Sequence, residues 1–311
     1  MTAAGAAVRA GRAGPDQPVV TAVLRSFLRA ALARTLDAGL PVVTQRRRLE
    51  AVTRLMLPPR SAAFRDATLG EVPGTWTEAV GASDAGTGVL YLHGGGYCVG
   101  SSRTHRALTG HLAVRTGALV YAPDYRLAPE HPCPAAIEDA VAAYRGWLAL
   151  GVDPRLLVIA GDSAGGGLAV ATTLRLRDEG LPLPQALVLF SPWVDLALAD
   201  FDESVPGEIM LKRPWIEECA RSYLGGRPGT DPRASPLYAD LRGLPRTLIQ
   251  VGTDEVLLPD SRRLRERLTA SGVTAVLEEY HRRWHVFQAN AGVLRDADRA
   301  LEAVARFIAS T

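Results

Sequence analysis

The sequence predicts an open α/β sheet, mostly parallel and covered by helices on both faces, on three observations. Five short β-rich apolar runs, at residues 88–92, 118–121, 156–160, 186–190 and 247–251, are continuous rather than alternating and are bounded by Gly, Pro or Asp. Strands buried on both faces read this way. Segments of helical periodicity lie between the runs, as right-handed strand–helix–strand units require. The chain has 311 residues, 47% of them apolar and 22% charged, enough to bury a substantial core.

In chain order, residues 1–55 carry helical, arginine-dotted text in which no strand is expected. The run at 88–92 is followed by a helix over 104–116, and the run at 118–121 by a helix over 134–150. In the latter, Ala136, Ala140, Ala143 and Trp147 share one face, while Glu138 and Asp139 sit near the start, where the macrodipole favours acids. The run at 156–160 leads into a helix over 163–178. Residues 193–235 then break the rhythm with mostly helical text, and could pack with the N-terminal segment as a lid. Helices over 259–270 and 291–309 flank a last strand over 273–280. The expected division is an N-terminal helical cap segment, 1–55, and a main α/β domain, 56–311, carrying a cap insertion at 193–235.

Composition excludes several classes. A formal net charge of +2 gives no footprint for nucleic acid. The three cysteines are widely spaced, with no C-x-x-C pair, so neither a disulfide framework nor a zinc ribbon is supported. No stretch of about 18 apolar residues spans a membrane. The first 17 residues lack an apolar signal-peptide core, and a cytoplasmic location is expected.

The strongest chemical signal is Gly161-Asp162-Ser163-Ala164-Gly165, a G-x-S-x-G directly after one strand and before a helix. A sharp turn there strains the backbone, projects the Ser163 hydroxyl, and leaves the Ala164 N–H free to bind an oxyanion. The second is His93-Gly94-Gly95-Gly96-Tyr97, just past an earlier strand. Its glycines let backbone N–H groups approach a carbonyl, with Gly94 and Gly95 as expected donors and His93 orienting the loop. Of six histidines, His285 follows the final strand with apolar flanks, the place a general base needs, whereas His281 lies among Tyr280, Arg282 and Arg283. The strand at 247–251 ends in Gly252-Thr253-Asp254-Glu255, so Asp254 and Glu255 are both candidates for the acid; only one can face the imidazole. Asp260 is expected to cap the following helix. No ligand spacing calls for a metal.

The glycine loop, the G-D-S-A-G elbow and the stretch Asp124-Tyr125-Arg126-Leu127-Ala128-Pro129-Glu130-His131-Pro132 together resemble the bacterial hormone-sensitive-lipase family of esterases (family IV), from about residue 70 onward. The resemblance implies an eight-stranded α/β-hydrolase core with a helical cap, no cofactor, short-to-medium acyl esters as substrates, and a homodimer. It implies Ser163 as nucleophile, His285 as base, and Gly94, Gly95 and Ala164 as oxyanion donors. Where the family carries its acid in Asp-Pro-Leu, this chain has Glu255-Val256-Leu257, which departs from the pattern. The shared leucine favours Glu255 over Asp254. A ligand-binding protein on the same scaffold, and an amidase or deacetylase with the same triad, are the competing functions.

Overall fold

The computed structural model describes residues 8–10, 17–81 and 86–310. Its centre is a nine-stranded sheet. In chain order the strands are β1 (Val8–Ala10), β2 (Ala62–Leu69), β3 (Val72–Ala79), β4 (Gly88–Leu92), β5 (Leu119–Pro123), β6 (Leu157–Asp162), β7 (Ala186–Phe190), β8 (Arg246–Gly252) and β9 (Ala275–Tyr280). In space they run β1-β9-β8-β7-β6-β4-β5-β3-β2. The strands from β1 through β5 in that order pair in parallel, and β3 joins β5 and β2 antiparallel. Strands β2 to β9 are the eight of an α/β-hydrolase core. The ninth, β1, corrects the expectation of a strand-free N-terminus: three residues pair with Leu277–Glu279 at the sheet edge.

The apolar runs are continuous because each strand is packed on both sides. Leu90, Leu92, Ile159, Leu187 and Leu189 join one core, while Val89, Tyr91, Val158, Val188 and Phe190 join another on the opposite face. Alternate residues thus feed two hydrophobic layers. Helices α4 (Ala135–Ala149), α5 (Ala164–Asp178) and α7 (Leu258–Ala270) cover the first face, and α3 (Arg106–Thr116) and α8 (Arg295–Ala309) the second. In α8, Ala297, Ala300, Leu301, Val304 and Ile308 make a buried stripe at helical spacing.

The N-terminal segment supplies α1 (Pro18–Ala33) and α2 (Val42–Thr53). The insert at 193–235 is less helical than its sequence suggests: α6 (Arg213–Leu224) is its one α-helix, and buried polar contacts hold the rest. Asp260 does one such job. Instead of capping α7, its buried carboxylate accepts the Val194 and Asp195 N–H groups at 2.9 and 3.0 Å, and burial above all raises it to about 7. The two off-pattern segments meet. Trp215 of α6 donates its indole N–H to Gln45 of α2 at 2.7 Å, and Arg25 of α1 reaches the Gly207 carbonyl at 3.3 Å. Arg46 of α2 fastens this layer to the core by a two-pronged pair with Glu130 and bonds to the Cys98 and Ala128 carbonyls. Among the described residues, no helix is long and apolar enough to cross a membrane.

Candidate active site

Parallel strands deliver loops at their carboxyl ends, where open α/β sheets form their clefts. Four of these ends matter here: β4 leads into His93–Gly96, β6 into Ser163, β8 into Glu255 and β9 into His285.

Ser163 sits between β6 and α5 with φ 53° and ψ −123°, a conformation a non-glycine residue holds only under constraint. The constraint is visible. Its N–H donates to Phe190 O at 2.9 Å, and its carbonyl accepts from Trp193 N at 2.9 Å and Gly166 N at 3.0 Å. The turn closes because position 165 is glycine: a Cβ there would lie 2.0 Å from the Leu92 carbonyl oxygen. Ala164 opens α5, so its N–H is among those a helix leaves without an internal acceptor.

Glu255 and His285 form a fully buried pair, Oε2 to Nδ1 at 3.0 Å. Burial alone would lower the imidazole, but the hydrogen bond and charge of Glu255 outweigh it and raise His285 above its ordinary value. Burial also raises the Glu255 carboxyl, and the contact with His285 opposes that rise. The other ring nitrogen, Nε2, is buried with no partner among the described residues. His285 and Ser163 line one cavity, which Gly94, Gly95 and apolar side chains of α1, α2 and the insert also line. The histidine competitor is elsewhere: His281 is exposed.

The two acid candidates separate cleanly. Asp254 turns away from His285 and pairs with Arg25 of α1 at 2.8 Å. The same guanidinium donates to the Arg282 carbonyl at 2.7 Å and lies over the Trp284 ring. Arg25 therefore ties α1 to the loops that carry both Glu255 and His285.

The glycine loop is held by a network that sequence reading did not anticipate. Asp162 Oδ1 accepts from Tyr91 Oη at 2.7 Å, from the Gly94 N–H at 3.1 Å, and lies 3.3 Å from His105 Nε2. Burial pushes the Asp162 carboxyl up, yet the His105 charge and these bonds hold it below its ordinary value. His105 also lines the cavity. Of the two expected loop donors, the Gly94 N–H points to Asp162, while Gly95 lines the cavity with Ser163 and His285. His93 stacks on Tyr125 at 4.2 Å, and the Tyr125 hydroxyl donates to the His93 carbonyl at 2.7 Å. Burial drives the His93 imidazole down to about 3, so it braces the loop as a neutral ring.

Glu208, in the insert, was also missed. Its Oε1 accepts from Ile209, Met210 and Leu211 N–H at 2.8, 2.6 and 2.9 Å, and its Oε2 from Val256 N–H at 3.1 Å. One buried carboxylate thus joins the cavity wall to the residue after Glu255. No local pattern marks it. Among the described residues, no cluster of three or more His, Cys, Asp or Glu is placed to hold a metal.

Comparison with known proteins agrees with this architecture. Residues 89–289 match the family defined by the alpha/beta hydrolase fold. An acetyl-hydrolase of Streptomyces hygroscopicus is 42% identical over 261 residues, covering 83% of this chain and 85% of that protein. An esterase of Acinetobacter venetianus is 36% identical over 292 residues, 92% and 94% of the two chains. The crystal structure of an esterase from the bacterial hormone-sensitive lipase family superimposes with a TM-score of 0.87 at 39% identity, covering 96% of this chain and 98% of the other. Motifs, sheet order and likeness over nearly the whole length coincide, and the chain belongs to the bacterial hormone-sensitive lipase family of α/β-hydrolases.

Proposed function

We propose that this chain hydrolyses carboxylic esters of short-to-medium acyl length, with Ser163 as nucleophile, His285 as general base and Glu255 as the orienting acid. The observation that carries the proposal is the buried Glu255–His285 pair, whose unpartnered Nε2 shares a cavity with the strained Ser163. Ser163 Oγ attacks the ester carbonyl carbon as its proton passes to Nε2. The carbonyl oxygen becomes an oxyanion that the Gly95 and Ala164 N–H groups receive. Nε2 then returns the proton to the departing alkoxide, and water repeats the sequence on the acyl-enzyme. Glu255 keeps the proton on Nδ1 and stabilises the imidazolium without taking the proton itself.

The test is steady-state hydrolysis of p-nitrophenyl butyrate against a matched anilide, with and without a serine-directed phosphonate. Ester turnover should exceed anilide turnover, and the phosphonate should abolish it while labelling Ser163. Anilide turnover equal to the ester's would make the chain an amidase, and label on another serine would displace the nucleophile. We also propose a cytoplasmic location and, on the family resemblance, a homodimer, which light scattering would report as twice the chain mass.

Residues 1–55 and 193–235 act in this proposal as the cap over the catalytic domain. Deleting residues 1–40 removes Leu28, Leu32 and Leu36, all buried and all lining the cavity. At about 1.5–3 kcal/mol for each buried leucine, the truncated protein should lose several kcal/mol of stability. It should also lose its preference for acyl chains of about four to eight carbons over sixteen. An unchanged acyl-chain profile would make this segment a mere appendage.

A further inference from the structure

On the side of α1 and α2, a single layer of side chains closes the cavity. Leu28, Val52, Met56, Ala107, Ala289 and the polar Asn290 line it, and the same six border a mostly apolar groove beside it. The groove continues outward over Phe27, Leu55, Leu57 and Val293, which are 46, 65, 78 and 57% exposed. Lone exposed apolar residues need no explanation, but a contiguous set that prolongs a buried apolar cavity does.

Met56 stands at the junction. It follows the last turn of α2, where its N–H donates to Thr53 O at 3.0 Å, and it is half-buried. It borders the cavity, the apolar groove and also a polar depression lined by Glu50, Arg54, Asp66, Arg103 and Arg106. Methionine is unbranched and turns about three side-chain bonds, so it can swing aside at little steric cost. The two openings differ in chemistry. A hydrated alcohol product suits the charged depression, and an alkyl chain suits the apolar groove.

We propose that Met56 is the residue that sets acyl-chain length: it plugs the cavity against the groove, and the groove seats the distal methylenes of saturated acyl chains longer than the cavity holds. This inference rests on the ester-hydrolase reading above. Each methylene withdrawn from water is worth roughly fourfold in kcat/KM when fully buried, and less in an open groove. Opening the plug should therefore favour a twelve-carbon chain over a four-carbon one by about tenfold or more.

The experiment measures kcat/KM for p-nitrophenyl butyrate, octanoate and dodecanoate below their micelle concentrations, with thermal unfolding as a check on folding. Met56→Ala should raise the dodecanoate-to-butyrate ratio about tenfold, and Met56→Phe should lower the octanoate-to-butyrate ratio. Adding Leu57→Asp to Met56→Ala puts a charge on the groove outside the cavity and should take the gain back. Ratios that do not move in a folded Met56→Ala protein would overturn the proposal, as would a gain that survives Leu57→Asp. Ethyl and dodecyl acetate are measured beside the p-nitrophenyl esters, and a Met56→Ala shift confined to the acetate pair would show that the groove takes the alcohol and would overturn the acyl assignment. Failure of the ester-hydrolase reading looks different: the unaltered protein would hydrolyse none of the three esters.

Discussion

Ser163→Ala is expected to lower kcat for p-nitrophenyl butyrate by about 10⁴- to 10⁶-fold, the range seen when the nucleophile of a serine triad is removed. The fold should survive the change. What holds the turn is the backbone of residue 163, bonded to Phe190, Trp193 and Gly166, and alanine keeps all three bonds. Gly95 and Ala164 remain able to polarise a bound carbonyl, so a small residual rate over water is expected. His285→Ala should cost about as much, and the double variant hardly more, because nucleophile and base act as a unit. His281→Ala should be mild, since that ring lies at the surface. The measurement is steady-state turnover, with active sites titrated by phosphonate to expose contaminating esterase. Near-normal turnover by Ser163→Ala would end the proposal, and the opposite ranking of the histidines would move the base.

What the sequence made legible follows from how local each constraint is. Strands β4, β6, β7 and β8 are buried on both faces, so their apolar character is continuous and readable without knowledge of their neighbours. The β2–β3 pair escaped because it is the antiparallel edge of the sheet: Arg65, Asp66, Pro73 and Glu78 interrupt its apolar text where it meets solvent. Strand β1 exists only through pairing with β9, more than 260 residues away, and three residues of sequence cannot announce that. The insert looked helical because its apolar residues face a cavity and a packed roof rather than a sheet. Likewise Ser163 and the glycine loop announce themselves, since a strained turn and a close backbone approach demand particular residues at fixed spacing. The groups that hold them do not. Asp162 reaches the Gly94 N–H across 68 positions, and Arg25 reaches Asp254 across 229. Such contacts carry no local period. The Gly94 N–H is one case: the Asp162 carboxylate that accepts its hydrogen bond lies in the elbow, not in the glycine loop.

Glu255→Gln should cost on the order of 10⁴ in kcat at neutral pH, whereas Asp254→Asn should cost only a few-fold. The Glu255 carboxylate accepts the Nδ1 proton of a wholly buried imidazole, which leaves Nε2 bare and ready for the serine proton. An amide in its place can donate to Nδ1 instead, which puts the ring proton on Nε2 and blocks proton transfer from Ser163. The pH profile gives a second, independent signature. Protonation of His285 stops catalysis, so kcat/KM falls on the acid side as pH drops through its pKa. That pKa lies above the ordinary 6.5 because the hydrogen bond and charge of Glu255 outweigh burial. Without the charge, burial prevails, and the acid limb of the residual activity should move to lower pH. Asp254 bonds to Arg25 rather than to the ring, each side chain being about one-fifth exposed, at 21% and 22%. Its loss should cost about 1 kcal/mol of stability and leave the acid limb in place. Rate–pH profiles of both variants decide the matter. Should Asp254→Asn be the inactive protein and carry the displaced acid limb, the acid moves by one residue and the contact between Glu255 and His285 is structural only.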